Sequence, residues 1–380
     1  MHVQRACNHQ GADVFFELVE DDGRPIPEVS DFLRHLGARG YSPNTLAAYA
    51  YDLLHFTRFL REHGWGYADF TPARSLKLLE YLRQFESRGH TRSLGPALAT
   101  EGGQTVRRLS PTTINRVLAA VSSFYEYMII SGQWGDENPL CKQSDYETLH
   151  VSKRQRRFSR DVSLQRPIRR IVRVRTVQRV PRPMTAEQIG QLLASLKLWR
   201  DKAIMVLMLD GGLRPGEVLN LHLEDLQYGR RRIVIRYRTD HPRGARTKSR
   251  RERVVDLLIP ETLQSVSTYV ARERPQDTDS PFVFLVGGQG EGRNRPLSYG
   301  ALVKTFARHC ERLDIRAPWI TPHALRHTHA TRMWDGGMRE LTLQKRLGHA
   351  SPASTSIYTR VSDAKMVAEY MHALGQREVK

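Results

Sequence analysis

Apolar positions recur every three to four residues through much of the first 140 residues, the spacing of one buried helix face. Phe32, Leu33 and Leu36 open the pattern. Gly40-Tyr41-Ser42-Pro43 interrupts it, and Leu46, Tyr49, Leu53, Phe56 and Leu60 resume it. Ser42 or Asn44 can cap that second helix, with Pro43 in the first turn, where a missing N–H is harmless. Leu76 to Phe85 predicts a shorter helix. Ser110-Pro111 starts another, carrying Ile114, Val117, Leu118, Val121, Phe124, Tyr125 and Met128. It stops near Gly132, and Asn138-Pro139 closes the unit. The pattern therefore predicts an all-helical domain over 29–140. Residues 1–28 show no period and end in the turn-rich Asp21-Asp22-Gly23-Arg24-Pro25-Ile26-Pro27, so they read as a flexible N-terminal arm. Residues 86–110, rich in Gly, Ser and Thr, read as a loop.

From 184 to 360 the pattern changes to a mixed, mainly helical α/β domain. Thr185-Ala186-Glu187-Gln188 resembles a helix cap before Ile189–Leu196, and Ala203–Leu209 is a fully apolar run that predicts a buried helix. Ile233-Val234-Ile235 and Arg253-Val254-Val255-Asp256-Leu257 read as strands joined by a long basic turn. Helices are expected near 260–272, 298–313, 323–336 and 340–347, and a short one over 352–358. In the tail, 361–380, Met366, Val367, Tyr370, Met371 and Leu374 form one stripe, as on a detachable amphipathic helix. No internal repeat is visible.

Charge adds a partner to this picture. The chain has 380 residues, 59 Lys+Arg against 40 Asp+Glu, and a formal net charge of +19. Such a length suggests two or three domains, and such a charge suggests a polyanion, nucleic acid first. Arg outnumbers Lys by 49 to 10. Arg presents a planar fork to phosphate oxygens, although a GC-rich genome gives the same bias. Between Val151 and Pro183 there are 12 bases and one acid, net +11, leaving +8 for all the rest. Residues 141–183 therefore read as a basic interdomain linker. Arg154, Arg156, Arg157, Arg169, Arg170, Arg173 and Arg175 are its candidate contacts to a phosphate backbone; a solvated tether has the same composition.

Some classes are excluded. Cys7, Cys141 and Cys310 lie far apart without CxxC spacing, against a disulfide framework or a cysteine zinc site. The first residues lack the apolar core of a signal peptide. The apolar run Ala203–Leu209 is far shorter than the ~18 residues of a membrane span. An intracellular protein with no membrane partner is expected.

Four segments carry candidate chemistry. Asp210-Gly211-Gly212-Leu213-Arg214-Pro215-Gly216-Glu217 delivers Arg214 at a helix start, where free N–H groups favour an anion, with Glu217 one turn on to orient its guanidinium; a capped helix with a surface ion pair reads the same way. Gly244-Ala245-Arg246-Thr247-Lys248-Ser249-Arg250 puts Lys248 in the turn between the strands, within reach of a groove, as in any solvated basic turn. His323-Ala324-Leu325-Arg326-His327 sets His323, Arg326 and His327 on one helix face. No Glu stands at the HExxH position and Arg326 would repel a cation, so no metal is expected; His327 reads as a hydrogen-bonded, half-buried support. Leu347-Gly348-His349-Ala350-Ser351-Pro352 precedes Tyr358, a phenol with an ordinary pKa near 10 that two cations around a phosphate could turn into a nucleophile.

In combination these segments supply two Arg, a Lys, several His and a Tyr, with no acidic cluster for magnesium. Cationic side chains could then supply the charge compensation that phosphoryl chemistry needs. The order Arg…Lys…His-x-x-Arg…His…Tyr resembles the tyrosine recombinase (phage integrase) family. GLRPGEVLNL, HALRHTHAT and LGHASPASTSIYTR are close to its signature boxes, and YSPNTLAAYAYDLLHFTRFL and LSPTTINRVLAAVSSFYEYM are similar to its core-binding domain. HTHATRMW and LQKRLGHAS lean toward mobile-element integrases and transposases.

The resemblance implies a SAM-like helical bundle and a mainly helical catalytic domain with a small antiparallel sheet, closing on double-stranded DNA as a C-shaped clamp. It implies that Tyr358 attacks the scissile phosphate to form a 3′-phosphotyrosyl bond. Arg214 and Arg326 would hold the non-bridging oxygens, Lys248 would protonate the leaving 5′-oxygen, His323 would act in proton transfer and His349 would donate to the phosphate. Glu217 and His327 would support the site. Around the position of Lys248, Arg243, Arg246, Arg250 and Arg251 are alternatives. No cofactor, ATP or metal is implied. The partners implied are DNA, a second copy on each site, a tetramer in synapsis by way of a Holliday junction, and accessory or directionality factors. The tail 361–380 would exchange between subunits, and 1–28 look too short for a separate arm-binding module. The expected location is the cytoplasm, on the nucleoid. A type IB topoisomerase and a catalytically inactive DNA-binding regulator are the alternatives.

Overall fold

In the computed structural model the described residues are 1–7, 14–86, 98–101, 104–135, 137–143, 168–170, 172–176, 182–247, 252–349, 351, 354–358 and 371. The chain divides into two units, Met1–Val177 and Gln178–Lys380.

The first unit is built on four helices, α1 (Pro27–Ala38), α2 (Pro43–Glu62), α3 (Arg74–Gln84) and α4 (Pro111–Ile130). Ser-Pro pairs start α2 and α4 in the same way. Ser42 Oγ accepts from the Thr45 amide at 3.2 Å and Ser110 Oγ from the Thr113 amide at 3.1 Å, satisfying N–H groups that a helix start leaves free. The apolar stripes meet in one core, where Phe32, Phe56, Phe59, Phe70, Phe124 and Tyr125 are fully buried. Phe56 and Phe70 pack edge to face at 4.9 Å. Each such side chain contributes about 1.5–3 kcal/mol by leaving water.

Three departures from the expected organisation are all short strands. First, residues 1–28 are not a loose arm. β1 (His2–Cys7) pairs antiparallel with β2 (Val14–Val19), His2 opposite Val19. Leu18 and Val19 are buried in the helical core, and Glu20 is paired with Arg61 of α2. Six-residue strands give too few alternations for a period to show. Second, the stretch 86–110 contains a hairpin, β3 (Leu98–Glu101) with β4 (Gln104–Arg107). The intervening Gly102-Gly103 is a two-residue hairpin signal that the high polarity of the stretch obscures.

Third, the linker expected over 141–183 begins as part of this unit. β5 (Cys141–Gln143) pairs with β6 (Ile168–Arg170). Beyond it Val172 and Val174 are buried in the helical core, while Arg173 and Arg175 face solvent. Asn115 fixes this segment, donating to the Val174 carbonyl at 2.8 Å and accepting from its amide at 2.9 Å. A period of two was present in Val172-Arg173-Val174-Arg175, under the charge. Arg169 and Arg170 lie on β6; Arg154, Arg156 and Arg157 fall outside the described residues.

The second unit follows the predicted order. Thr185 caps α5 (Ala186–Ser195) in a reciprocal box with Gln188. Then come α6 (Trp199–Asp210), α7 (Pro215–Leu219), β7 (Leu226–Gln227), β8 (Arg232–Ile235), β9 (Arg253–Asp256), α8 (Pro260–Arg272), α9 (Tyr299–Arg312), α10 (Pro322–Asp335) and α11 (Glu340–Leu347). The sheet runs β7-β8-β9, antiparallel, with Ile233 opposite Val255. Ala203–Leu209 of α6 is buried on every side, against α8 and α10, which is why it shows no polar face. Of the short helix expected over 352–358, Ser354 has 3-10 conformation and 355–358 form turns, with Tyr358 N donating to the Thr355 carbonyl; 352 and 353 lie outside the described residues. The tail helix expected over 362–375 lies outside the described residues, Met371 apart. Among the described residues no helix is long and apolar enough to cross a membrane.

Candidate active site

Arg214 is the N-cap residue of α7, held there by Pro215 at the first helical position and by Glu217 one turn on. Glu217 accepts from the Arg214 amide at 2.9 Å and from its guanidinium at 2.7 Å. The same carboxylate takes a two-pronged pair from Arg253 of β9, at 2.9 and 2.8 Å. Arg326 of α10 lies 3.8 Å away. One fully buried carboxylate thus anchors three guanidiniums, none more than 18% exposed. Burial alone would raise the Glu217 pKa, but hydrogen bonds and charge from Arg253, then Arg326 and Arg214, hold it at about 2. Arg326 is the most deeply buried of the three, and burial and the other arginines lower it to about 9.

The guanidiniums converge on the end of α11. That helix stops at Gly348, in the left-handed conformation (φ +63°) that glycine takes without strain. The turn presents the Leu347 carbonyl to Arg326 at 2.8 Å and to Arg214 at 3.3 Å. Arg214 also donates to the Gly348 carbonyl, and Arg326 to that of Gly212. Two guanidiniums within hydrogen-bond reach of one oxygen form a ready receptor for a shared phosphate oxygen.

His349, next in the chain, accepts from Arg326 at Nε2 (3.0 Å), leaving Nδ1 to donate to Thr355 at 2.8 Å. Its ring lies nearly parallel to that of Tyr358, centroids 6.3 Å apart. Tyr358 packs against Ala330, Leu343 and Leu347 and is 8% exposed. Burial raises its pKa while Arg326 and Arg214 pull it down. Its hydroxyl lies 2.6 Å from Nδ1 of His327. His323 is exposed one turn earlier on α10, its ring 6.5 Å from that of His327.

The structure therefore brings Arg214, Glu217, Arg326, His327, His349 and Tyr358 together. Lys248 lies outside the described residues. The chain leading to it passes over α7: the Arg246 carbonyl oxygen sits 2.3 Å from where a Cβ on Gly216 would stand, so only glycine admits it. Arg253 escaped sequence reasoning. The signal was an arginine in phase with the inward-facing Val255 of the same strand. His327 also does more than packing, since it touches the phenol.

His327 and His329 are held down to about 4 and His349 to about 3, by burial first and then by neighbouring cations. In the unfolded chain they titrate near 6.5. Between pH 6.5 and about 4 the unfolded state binds protons that the folded unit refuses, so stability falls as pH falls through that window. His329, 1% exposed, alone accounts for about 2 kcal/mol by pH 5. Asp210, raised by burial, works in the opposite sense. Calorimetry of the full chain is expected to show the unfolding transition of this unit well below its pH 7.5 position at pH 5; an unchanged transition contradicts the histidine environments described.

The comparisons with known proteins agree with this geometry. The phage integrase family pattern matches residues 182–365, and that of the phage integrase N-terminal SAM-like domain matches 29–132. The chain belongs to the phage integrase family, the tyrosine recombinases, and is an enzyme of that class. It is 28% identical over the full length of both chains to Transposase A from transposon Tn554 of Staphylococcus aureus. To the tyrosine recombinase XerC of Caldanaerobacter subterraneus it is 26% identical, over 90% of this chain and 84% of that one. Among solved structures, the Tn1549 transposon integrase in complex with a circular intermediate DNA shares the fold with TM-score 0.59 and 17% identity, over 91% of this chain and 98% of that one. The XerH recombinase bound to its difH substrate gives TM-score 0.58 and 17% identity, over 91% and 85%. The expected class, a helical SAM-like domain plus a mainly helical catalytic domain with a small sheet, holds.

Proposed function

We propose that the chain cuts and rejoins double-stranded DNA for the movement of a mobile element, with Tyr358 as nucleophile. The convergence of Arg214 and Arg326 on one carbonyl oxygen beside the Tyr358 phenol carries this reading. A scissile phosphate taking the place of the Leu347 carbonyl would receive both guanidiniums on its non-bridging oxygens, preorganised by Glu217. Phosphate oxygens would also compete for Arg326, releasing His349 Nε2 to take a proton and donate. His323, exposed one turn from His327 on α10, would act in proton transfer, and Lys248 would protonate the leaving 5′-oxygen. The phosphotyrosyl bond conserves the energy of the broken diester, so a partner strand's 5′-hydroxyl can reseal it. Full-length similarity to a transposase favours transposition or integration over chromosome resolution. Dimers on each site, tetramers in synapsis, accessory factors and exchange of the tail 361–380 belong to the same reading, as does a place on the nucleoid.

The test uses nicked suicide duplexes tiled across both ends of the DNA element that carries the gene, in EDTA. The wild type is expected to be trapped covalently on one of them. Relaxation of a plasmid without any element end would instead favour the topoisomerase reading, and no trapping on any duplex contradicts both.

Arg173 and Arg175, both exposed, would grip the backbone without reading sequence. Replacing both with Ala is expected to reduce the slope of log binding constant against log salt by about 2, near 0.9 for each lost contact. Filter binding at a series of salt concentrations checks it; an unchanged slope removes them from the interface.

A further inference from the structure

We propose that His327 is the base that takes the Tyr358 phenol proton as the phosphotyrosyl bond forms, an assignment that rests on the strand-exchange reading. Geometry is the first criterion for a base, and His327 Nδ1 meets the phenol oxygen at 2.6 Å. Their ring centroids are 5.5 Å apart. Adjacent residues on a helix point about 100° apart. Arg326 thus turns to the carbonyls of Gly212 and Leu347 while His327 turns to the tyrosine.

Among the described residues His327 is the imidazole within hydrogen-bond distance of the phenol; His323 sits one turn earlier on α10, its ring 6.5 Å from that of His327, and the other histidines of the site are engaged elsewhere. His349 spends Nε2 on Arg326 and Nδ1 on Thr355. His329 bonds the Leu209 carbonyl and Arg346. Tyr358 is buried among Ala330, Leu343 and Leu347, so bulk water is a poor acceptor for its proton. The groups facing His327 are His323 and Arg326 on its own helix and Tyr358 from the turn, with Arg214 and His349 behind the phenol. Burial, then His323 and Arg326, hold His327 at about 4, so its imidazole is neutral with a free lone pair at neutral pH. An arriving phosphate anion would raise its basicity as the proton moves.

The step balances within the site. The Tyr358 Oη–H proton passes to His327 Nδ1, the Oη–P bond forms, the P–O5′ bond breaks, and the 5′-oxygen takes a proton from the leaving-group acid. In resealing, the 5′-hydroxyl attacks phosphorus and returns its proton to that acid, while the departing phenolate recovers its own from His327. No water or co-reactant is consumed.

The experiment compares His327→Asn with the wild type, as full chains, on a trapping duplex whose scissile 5′-oxygen is replaced by sulfur. A thiolate leaves without protonation, so the rate reports on the phenol alone. The Asn amide oxygen can keep the hydrogen bond but cannot take the proton. Cleavage by His327→Asn is expected to fall about 10²–10³-fold at pH 7 and to climb about tenfold per pH unit from 6.5 to 8.5, while the wild type stays flat. Added imidazole should restore part of the rate to His327→Ala. Duplex binding serves as the folding control; if the Asn variant fails it, the same pH series is read on His327→Gln. A wild-type rate in the variant, or a loss of the same size at every pH, overturns the proposal and leaves His327 a positioning residue. A wild type that traps nothing sinks the strand-exchange reading, and the proposal with it.

Discussion

Tyr358→Phe is expected to bind DNA like the wild type and to form no covalent adduct, a loss of at least about 10⁴-fold, as when other enzymes lose their nucleophile. The substitution removes one hydroxyl. The ring keeps its contacts with Ala330, Leu343 and Leu347, so folding and the arginine cluster should survive. What disappears is the proposed nucleophilic oxygen and its hydrogen bond to His327. Among the described residues the other candidates are engaged: the Thr355 hydroxyl and both nitrogens of His349 are hydrogen-bonded, and the Glu217 carboxylate is fully buried beneath its arginines. Gel analysis of trapped complexes checks it. An adduct surviving in Tyr358→Phe would mean that the nucleophile lies elsewhere.

Glu217→Gln is expected to be the most damaging isosteric change in the catalytic unit. Near pH 7 Glu217 is fully ionised and is the carboxylate shared by Arg214, Arg253 and Arg326. The amide fills the same space but leaves three buried cations facing one another. Breaking a buried pair in this way costs about 3–5 kcal/mol, or about 6–20 °C in the unfolding midpoint of a unit this size. Arg326, whose pKa burial and the other arginines already lower, loses its counter-charge and its fixed position. Cleavage is then expected to fall about 10²–10³-fold, as when one preorganised donor is lost. Thermal unfolding and the cleavage rate check both parts. A Gln variant of normal stability and rate would show that the arginines need no common anchor.

Much of this was legible in the sequence because local chemistry matched the tertiary outcome. Ser42-Pro43 and Ser110-Pro111 announce helix starts in any context, and the aromatic stripes of α2 and α4 name the core they enter. Arg214, Arg326 and Tyr358 stood out because each sits in a motif with a reason for its neighbours. The short hairpins β1–β2 and β3–β4 were lost to brevity and polarity, while the other losses share one cause, which is partners distant in sequence. Val172 and Val174 are core residues only because Asn115 and the helical bundle wait 59 residues away, and a run of arginine hid them. Arg253 reads as an ordinary strand charge until Glu217, 36 residues earlier, is brought against it. His327 lies in a recognised box, yet its neighbour is Tyr358, 31 residues on. Only the fold could turn a supporting histidine into a contact with the Tyr358 phenol.

The central claim is that Tyr358 joins this protein to the 3′ end of a cut DNA strand. The direct measurement is mass spectrometry of the trapped complex after nuclease and protease digestion. The account predicts one peptide containing Tyr358, carrying a nucleotide through its 3′-phosphate, with a free 5′-hydroxyl on the released strand. A nucleotide on any other residue, or a linkage through a 5′-phosphate, would contradict it.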